Sequence, residues 1–246
     1  MKFYNKQRRK INRKKCRTTT IILISIILPL IFFVCIKKIN TNIKSDEKYI
    51  ESGIKDEKTE TVANVYKNQI LLVNKEKGLE SEYKPGNLVN VNTKTNQKIL
   101  MEKEAAEKLQ EMFKAAENDG IELIPVSAYR TYEYQKNVFD QSVKSQGIEY
   151  TKRYVAVPGY SEHQTGLAID VGSPEDTTLT DNFENTNAFR WLQKNMYDYG
   201  FILRYPKGKE NITGYKYEPW HIRYVGKDVA KKIQETGLTL EEFMKK

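Results

Sequence analysis

The sequence predicts an α+β fold: a small antiparallel sheet flanked by helices and preceded by an N-terminal transmembrane helix. Three observations predict it. Helical apolar spacings and short β-rich runs are mixed along residues 67–246 without a regular βαβ rhythm. No internal repeat divides them. An uncharged apolar run also stands directly behind a strongly basic N-terminus.

The basic residues come first. Residues 1–17 carry nine of them (Lys2, Lys6, Arg8, Arg9, Lys10, Arg13, Lys14, Lys15 and Arg17) and no acidic residue. The other 32 basic residues of the chain are matched by 32 acidic ones, so the net charge of +9 belongs to this tail. A nucleic-acid-binding face is therefore not expected on the remainder. Residues 18–36 hold the apolar run from Ile21 to Ile36 with Thr18 to Thr20 before it. As a helix they span about 28 Å, close to the ~30 Å hydrocarbon core of a bilayer. Basic residues crowd its N-terminal side, which predicts an anchor with the N-terminus in the cytoplasm and the rest of the chain outside. The run exits through Phe33-Val34-Cys35-Ile36, without the small residues that a signal-peptide cleavage site requires. Residues 37–66 read as a polar stalk. Both cysteines, Cys16 and Cys35, precede it, so the outer domain has no disulfide and must be held by its core or by a metal.

Within 67–246 the elements follow in order. Gln69 to Asn74 reads as a short strand, and 78–100 as a loop-rich stretch around Pro85-Gly86. Glu102 to Asp119 repeats Ala105, Leu109, Met112, Phe113 and Ala116 at helical spacing and stops at Gly120. Ile121 to Ala128 is a strand, and Thr131 caps a helix to about Ser145. After the Pro158-Gly159 turn, Leu167 to Val171 is an apolar strand interrupted by Asp170. Asn187 to Tyr199 is a helix closed by Gly200. Phe201 to Tyr205 and Tyr215 to Val225 make a hairpin, and Thr239 with Glu242 makes the capping box of a last short helix.

Two histidines are all the chain has, His163 and His221. A carboxylate inside an apolar strand is costly unless it is paired or bound to a metal, and Asp170 is such a residue. His163 lies seven residues earlier across a turn at Gly166, and a neighbouring strand can bring His221 to the same point. Two imidazoles and one carboxylate are a zinc set that leaves a fourth position open, the pattern of a catalytic rather than a structural site. Glu218, three residues before His221 across Pro219, is placed to face that open position and take a proton from the water there.

The segment Ser161-Glu162-His163-Gln164-Thr165-Gly166-Leu167-Ala168-Ile169-Asp170, with Glu218-Pro219-Trp220-His221, resembles the signature of the VanY-like D-alanyl-D-alanine carboxypeptidases. The resemblance extends over roughly residues 68–240 and includes Ile70 to Lys75, Tyr83-Lys84-Pro85 and Ser127-Ala128-Tyr129-Arg130-Thr131. Asn87 departs from it, standing where an acidic residue is expected. The resemblance implies a zinc peptidase that removes a C-terminal D-alanine from peptidoglycan stem peptides. Zinc would be held by His163, Asp170 and His221, with Glu218 as the catalytic base. It also implies a substrate site lined by Arg130, Gln135 and Ser161. Arginine suits the free terminal carboxylate because its planar fork is permanently charged. The same chemistry admits an L,D-carboxypeptidase or a cross-link endopeptidase. A non-catalytic cell-wall module is disfavoured because neither Glu218 nor any ligand has been lost.

Overall fold

The structure is a computed structural model that describes residues 70–91 and 98–245. The basic tail 1–17, the apolar run 18–36 and the stalk 37–66 lie outside the described residues. Among the described residues no helix is long and apolar enough to cross a membrane.

The first elements form one small unit. Strands β1 (Leu88–Asn90) and β2 (Leu100–Glu102) pair antiparallel, with Leu88 opposite Glu102. Helix α1 (Lys103–Asn118) follows at once, and the Glu102 carboxylate caps it by accepting the N–H of Glu104 at 2.9 Å. Its apolar stripe, Ala105, Leu109, Met112 and Ala116, is fully buried. Gly120, at φ +76°, turns the chain away from the helix end.

A four-stranded antiparallel sheet in the order β3-β4-β6-β5 forms the centre. It contains β3 (Ile124–Ser127), β4 (Ala168–Gly172), β5 (Phe201–Leu203) and β6 (His221–Tyr224). Strand alternation divides each central strand between two environments. On β4, Ile169 and Val171 join the main core with α1; on β6, Ile222 and Tyr224 do the same. Asp170 and His221 therefore point to the other face. Helices α2 (Tyr132–Gln146) and α3 (Ile148–Tyr154) come between β3 and β4. Thr131 caps α2 through the Tyr134 N–H at 3.1 Å, as its sequence position predicts. Helix α4 (Asn187–Asn195) runs into a 3₁₀ turn (Met196–Tyr199) that Gly200 ends at φ +83°. A short α5 (Glu210–Thr213) lies between β5 and β6. The last helices, α6 (Lys227–Thr236) and α7 (Leu240–Lys245), build a second core from Val229, Ile233, Leu240 and Phe243 around Ile202. The capping box of α7 is present in both directions, Thr239 N–H to Glu242 at 2.8 Å and Glu242 N–H to Thr239 Oγ1 at 3.2 Å.

Some expectations need correction. The described part of the expected strand 69–74, residues 70–74, is irregular. Its Leu71 carbonyl accepts from the Arg223 side chain, and Asn74 Oδ1 accepts the N–H groups of Glu76 and Lys77, so no strand edge pairs with it. The expected hairpin strands are shorter, because Tyr215 to Trp220 is a loop ending in a turn at Pro219. The pairing itself is present, with Phe201 opposite Tyr224. The β1–β2 pair, α3 and α6 were not anticipated. The strands of the first are three residues long, too short to show a period of two.

Candidate metal centre and its cleft

Three elements deliver the cluster. In the β4–β6 ladder Asp170 lies directly opposite His221. His163 belongs to the 3₁₀ turn Glu162–Thr165 just before β4, and Gly166 (φ +70°) joins the two. A Cβ at Gly166 would come within 3.1 Å of the Glu102 backbone nitrogen, so a side chain there would push the turn off the β2–α1 junction. His163 Nε2 stands 3.3 Å from Asp170 Oδ2, and His221 Nδ1 stands 3.1 Å from Asp170 Oδ1. The imidazoles meet edge to face with centroids 5.0 Å apart. The ligand atoms of the three residues all lie within 4.8 Å of one another.

This donor set fits zinc. Ligands held tetrahedrally at ~2.0–2.1 Å stand roughly 3.3 Å from each other, close to the two spacings onto Asp170. His163 Nδ1 is 2.7 Å from the Ala128 carbonyl, a contact that requires the proton on Nδ1 and turns the Nε2 lone pair into the cluster. All three residues are buried.

The charges fit a cation as well. Burial alone would raise the Asp170 carboxyl, but His163, His221 and Arg130 together hold it well below the usual range. Burial, followed by the charge of Arg130, pushes His163 down to about 4. Burial opposes charge on His221 too, yet the hydrogen bond with Asp170 and the nearby Glu162 carboxylate raise it to about 9. The carboxylates around His221 thus favour its charged form, and a metal bound there competes with that proton.

The cluster floors a cavity of about 720 Å³ that Arg130, Gln135, Ser161, Tyr154, Glu218 and Trp220 also line. Glu218 and His221 close a turn around Pro219, with the His221 N–H donating to the Glu218 carbonyl at 3.3 Å. The turn leaves Glu218 Oε2 3.8 Å from His221 Nδ1, beside the donors rather than among them. Burial pushes the Glu218 carboxyl up to about 8. A cation in the cluster would draw it back down, since an opposite charge favours the ionised form. On one lip, the Tyr150 and Tyr154 rings stack with centroids 4.6 Å apart and stay partly open to solvent.

Every residue proposed from the sequence for the site lies in this cavity, but Arg130 does more than face a substrate. Its Nη2 donates to Asp170 Oδ2 at 2.8 Å and its Nε to Ser127 Oγ at 2.9 Å. Its Nη1 lies 3.5 Å from Gln135 Oε1, while Gln135 donates to the Ala156 carbonyl at 2.9 Å. Arg130 is thereby a partner of the ligand Asp170. Sequence reasoning also missed Glu162, which carries two buried arginines behind His221. Its adjacency to His163 was the only available signal.

Comparison with known proteins agrees with this geometry. Residues 98–227 match the VanY family model, described as D-alanyl-D-alanine carboxypeptidase. The bifunctional D-Ala-D-Ala dipeptidase and D-Ala-D-Ala carboxypeptidase VanXYC of Enterococcus gallinarum is 38% identical over 181 residues, 72% of this chain and 93% of its own. The LD-carboxypeptidase LdcB superposes with a TM-score of 0.68 at 49% identity, covering 73% of this chain and 87% of its own. A glutamate-to-alanine variant of the vancomycin-resistance D,D-pentapeptidase VanY, solved in complex with Zn(II), superposes with a TM-score of 0.61 at 37% identity, covering 71% of this chain and 97% of its own. The matched span contains the three donors, Glu218 and Arg130 alike, and the chain belongs to the VanY D-alanyl-D-alanine carboxypeptidase family.

Proposed function

We propose that the protein is a zinc-dependent carboxypeptidase that removes a C-terminal D-alanine from peptidoglycan stem peptides. One observation carries the reading: a two-histidine, one-aspartate donor set, a buried glutamate and an arginine all line one cavity. Zinc, when bound, supplies a Lewis acid and lowers the pKa of water. The protein's own residues do the rest. His163 and His221 present their lone pairs from opposite ring nitrogens, and Asp170 supplies the negative charge between them. Glu218 takes the proton of the attacking water and returns it to the leaving amine. Arg130, anchored by Ser127 and Asp170, aims its remaining N–H groups at the terminal carboxylate of the substrate. Gln135 steadies that guanidinium, and the Ser161 hydroxyl offers a further hydrogen bond to the peptide.

Two specificities fit this chemistry. The family as a whole points to a pentapeptide ending in D-Ala-D-Ala. The 49% identity to LdcB favours a second reading, removal of D-alanine from a tetrapeptide at an L,D bond. Defined penta- and tetrapeptide stems with and without chelator separate the two. Inertness toward both with zinc present would sink the proposal.

The role of Arg130 gives a sharper test. Arg130→Ala should lower kcat/KM for a free-acid stem about 10- to 150-fold, the worth of a lost charge-assisted contact. Wild type should already process the C-terminally amidated stem poorly, and the substitution should then add little. Because Arg130 also touches Asp170, zinc content must be measured alongside. Additive effects of substitution and amidation would leave Arg130 as a support for Asp170 alone.

We further propose that residues 18–36 anchor the protein in the cell membrane with the peptidase domain on the extracytoplasmic side. The nine basic residues before Thr18 support this orientation. A reporter fused after Lys246 should be active only outside the cytoplasm; activity inside would reverse the topology.

A further inference from the structure

Glu162 occupies the side of His221 opposite the donor cluster. It opens the 3₁₀ turn that contains His163, and its side chain is completely buried. Oε1 accepts from Arg204 Nε and from Arg223 Nη1, both at 2.7 Å. His221 and Arg223 are two apart on β6 and share a face, so a single carboxylate reaches both. Each arginine is held in turn: Arg204 Nη1 donates to Glu241 on α7 at 2.9 Å, and Arg223 Nη2 to the Leu71 carbonyl at 2.7 Å. The second oxygen, Oε2, lies 3.6 Å from His221 Nε2. Both atoms are buried, and among the described residues neither has a hydrogen-bond partner.

Two buried polar atoms without partners that face each other call for a hydrogen bond. We propose that Glu162 is a positioning residue that accepts the Nε2–H of His221 and so keeps the Nδ1 lone pair turned toward Asp170 and the metal position. The proposal rests on the zinc reading of the cluster. His163 is oriented differently, by the neutral Ala128 carbonyl acting on its Nδ1. The two ligands thus use opposite ring nitrogens, and only His221 leans on a carboxylate, which makes its imidazole the stronger donor. Arg204 and Arg223 make this possible by compensating a buried charge that could not otherwise be tolerated.

The test uses the full-length protein and zinc alone. Glu162→Gln keeps the shape and one acceptor oxygen but removes the charge. In competition with a chromophoric chelator, the folded variant should bind zinc about 10- to 100-fold more weakly than wild type. Nitrogen NMR of the wild type supplies an independent readout, since the chain has only two histidines. His221 should show a protonated, slowly exchanging Nε2 with Nδ1 bound to zinc, and His163 the reverse. Equal zinc affinity in wild type and folded Glu162→Gln would overturn the role of Glu162. So would zinc on the Nε2 of His221, which also decides the matter should the variant fail to fold. A wild type that takes up no zinc would instead remove the metal reading on which the proposal stands.

Discussion

Glu218→Ala is expected to keep its zinc, at about one per chain, and to lose turnover by roughly 10²- to 10⁴-fold, the usual contribution of a general base. The loss should fall on kcat with KM nearly unchanged, because the carboxylate acts on the water and not on the ground-state peptide. The geometry supports separating base from ligand. Glu218 Oε2 is 3.8 Å from His221 Nδ1, whereas Asp170 Oδ1 is 3.1 Å from the same nitrogen. Metal analysis and steady-state kinetics on one preparation check both halves. Loss of zinc from the variant would make Glu218 a ligand and leave the base unassigned.

Asp170→Ala should have the opposite profile, with zinc and activity lost together. Asp170 is the shared partner of His163, His221 and Arg130, so its removal strands positive charge in a buried place. The metal-free protein should lose about 3 kcal/mol of stability, the lower end of the cost of breaking a buried ion pair. The pH dependence follows from the directions of the shifts. The depressed Asp170 carboxyl contributes stability that is complete above its unfolded value near ~4 and is lost as pH falls further. His221, raised to about 9, contributes stability that is complete below its unfolded value and is lost as pH rises through 9. The gap between wild type and Asp170→Ala should therefore be widest between about pH 4 and 6.5 and narrow toward pH 9. Urea denaturation of the metal-free proteins at pH 5.5 and 9.5 measures it; a gap that widened with pH would contradict the charge assignment.

The sequence alone determined the α+β class, helix boundaries at Glu102, Thr131 and Gly200, the capping box at Thr239, and the three donors of the candidate metal centre. Helix ends are local: a cap and its N–H partners lie within three residues, so the pattern is visible in the chain. The donors stood out for a chemical reason, since the only two histidines and a carboxylate inside an apolar strand leave few alternatives. Tertiary structure alone decided how these residues are used. The β4–β6 register sets Asp170 opposite His221 across 51 residues, and the fold commits one arm of Arg130 to Asp170 across 40. It also gathers Glu162 from a turn, Arg204 from just past β5 and Arg223 from β6 into one buried network behind His221. Such contacts derive their strength from burial and from partners distant in sequence, and neither is a property of any local stretch of chain.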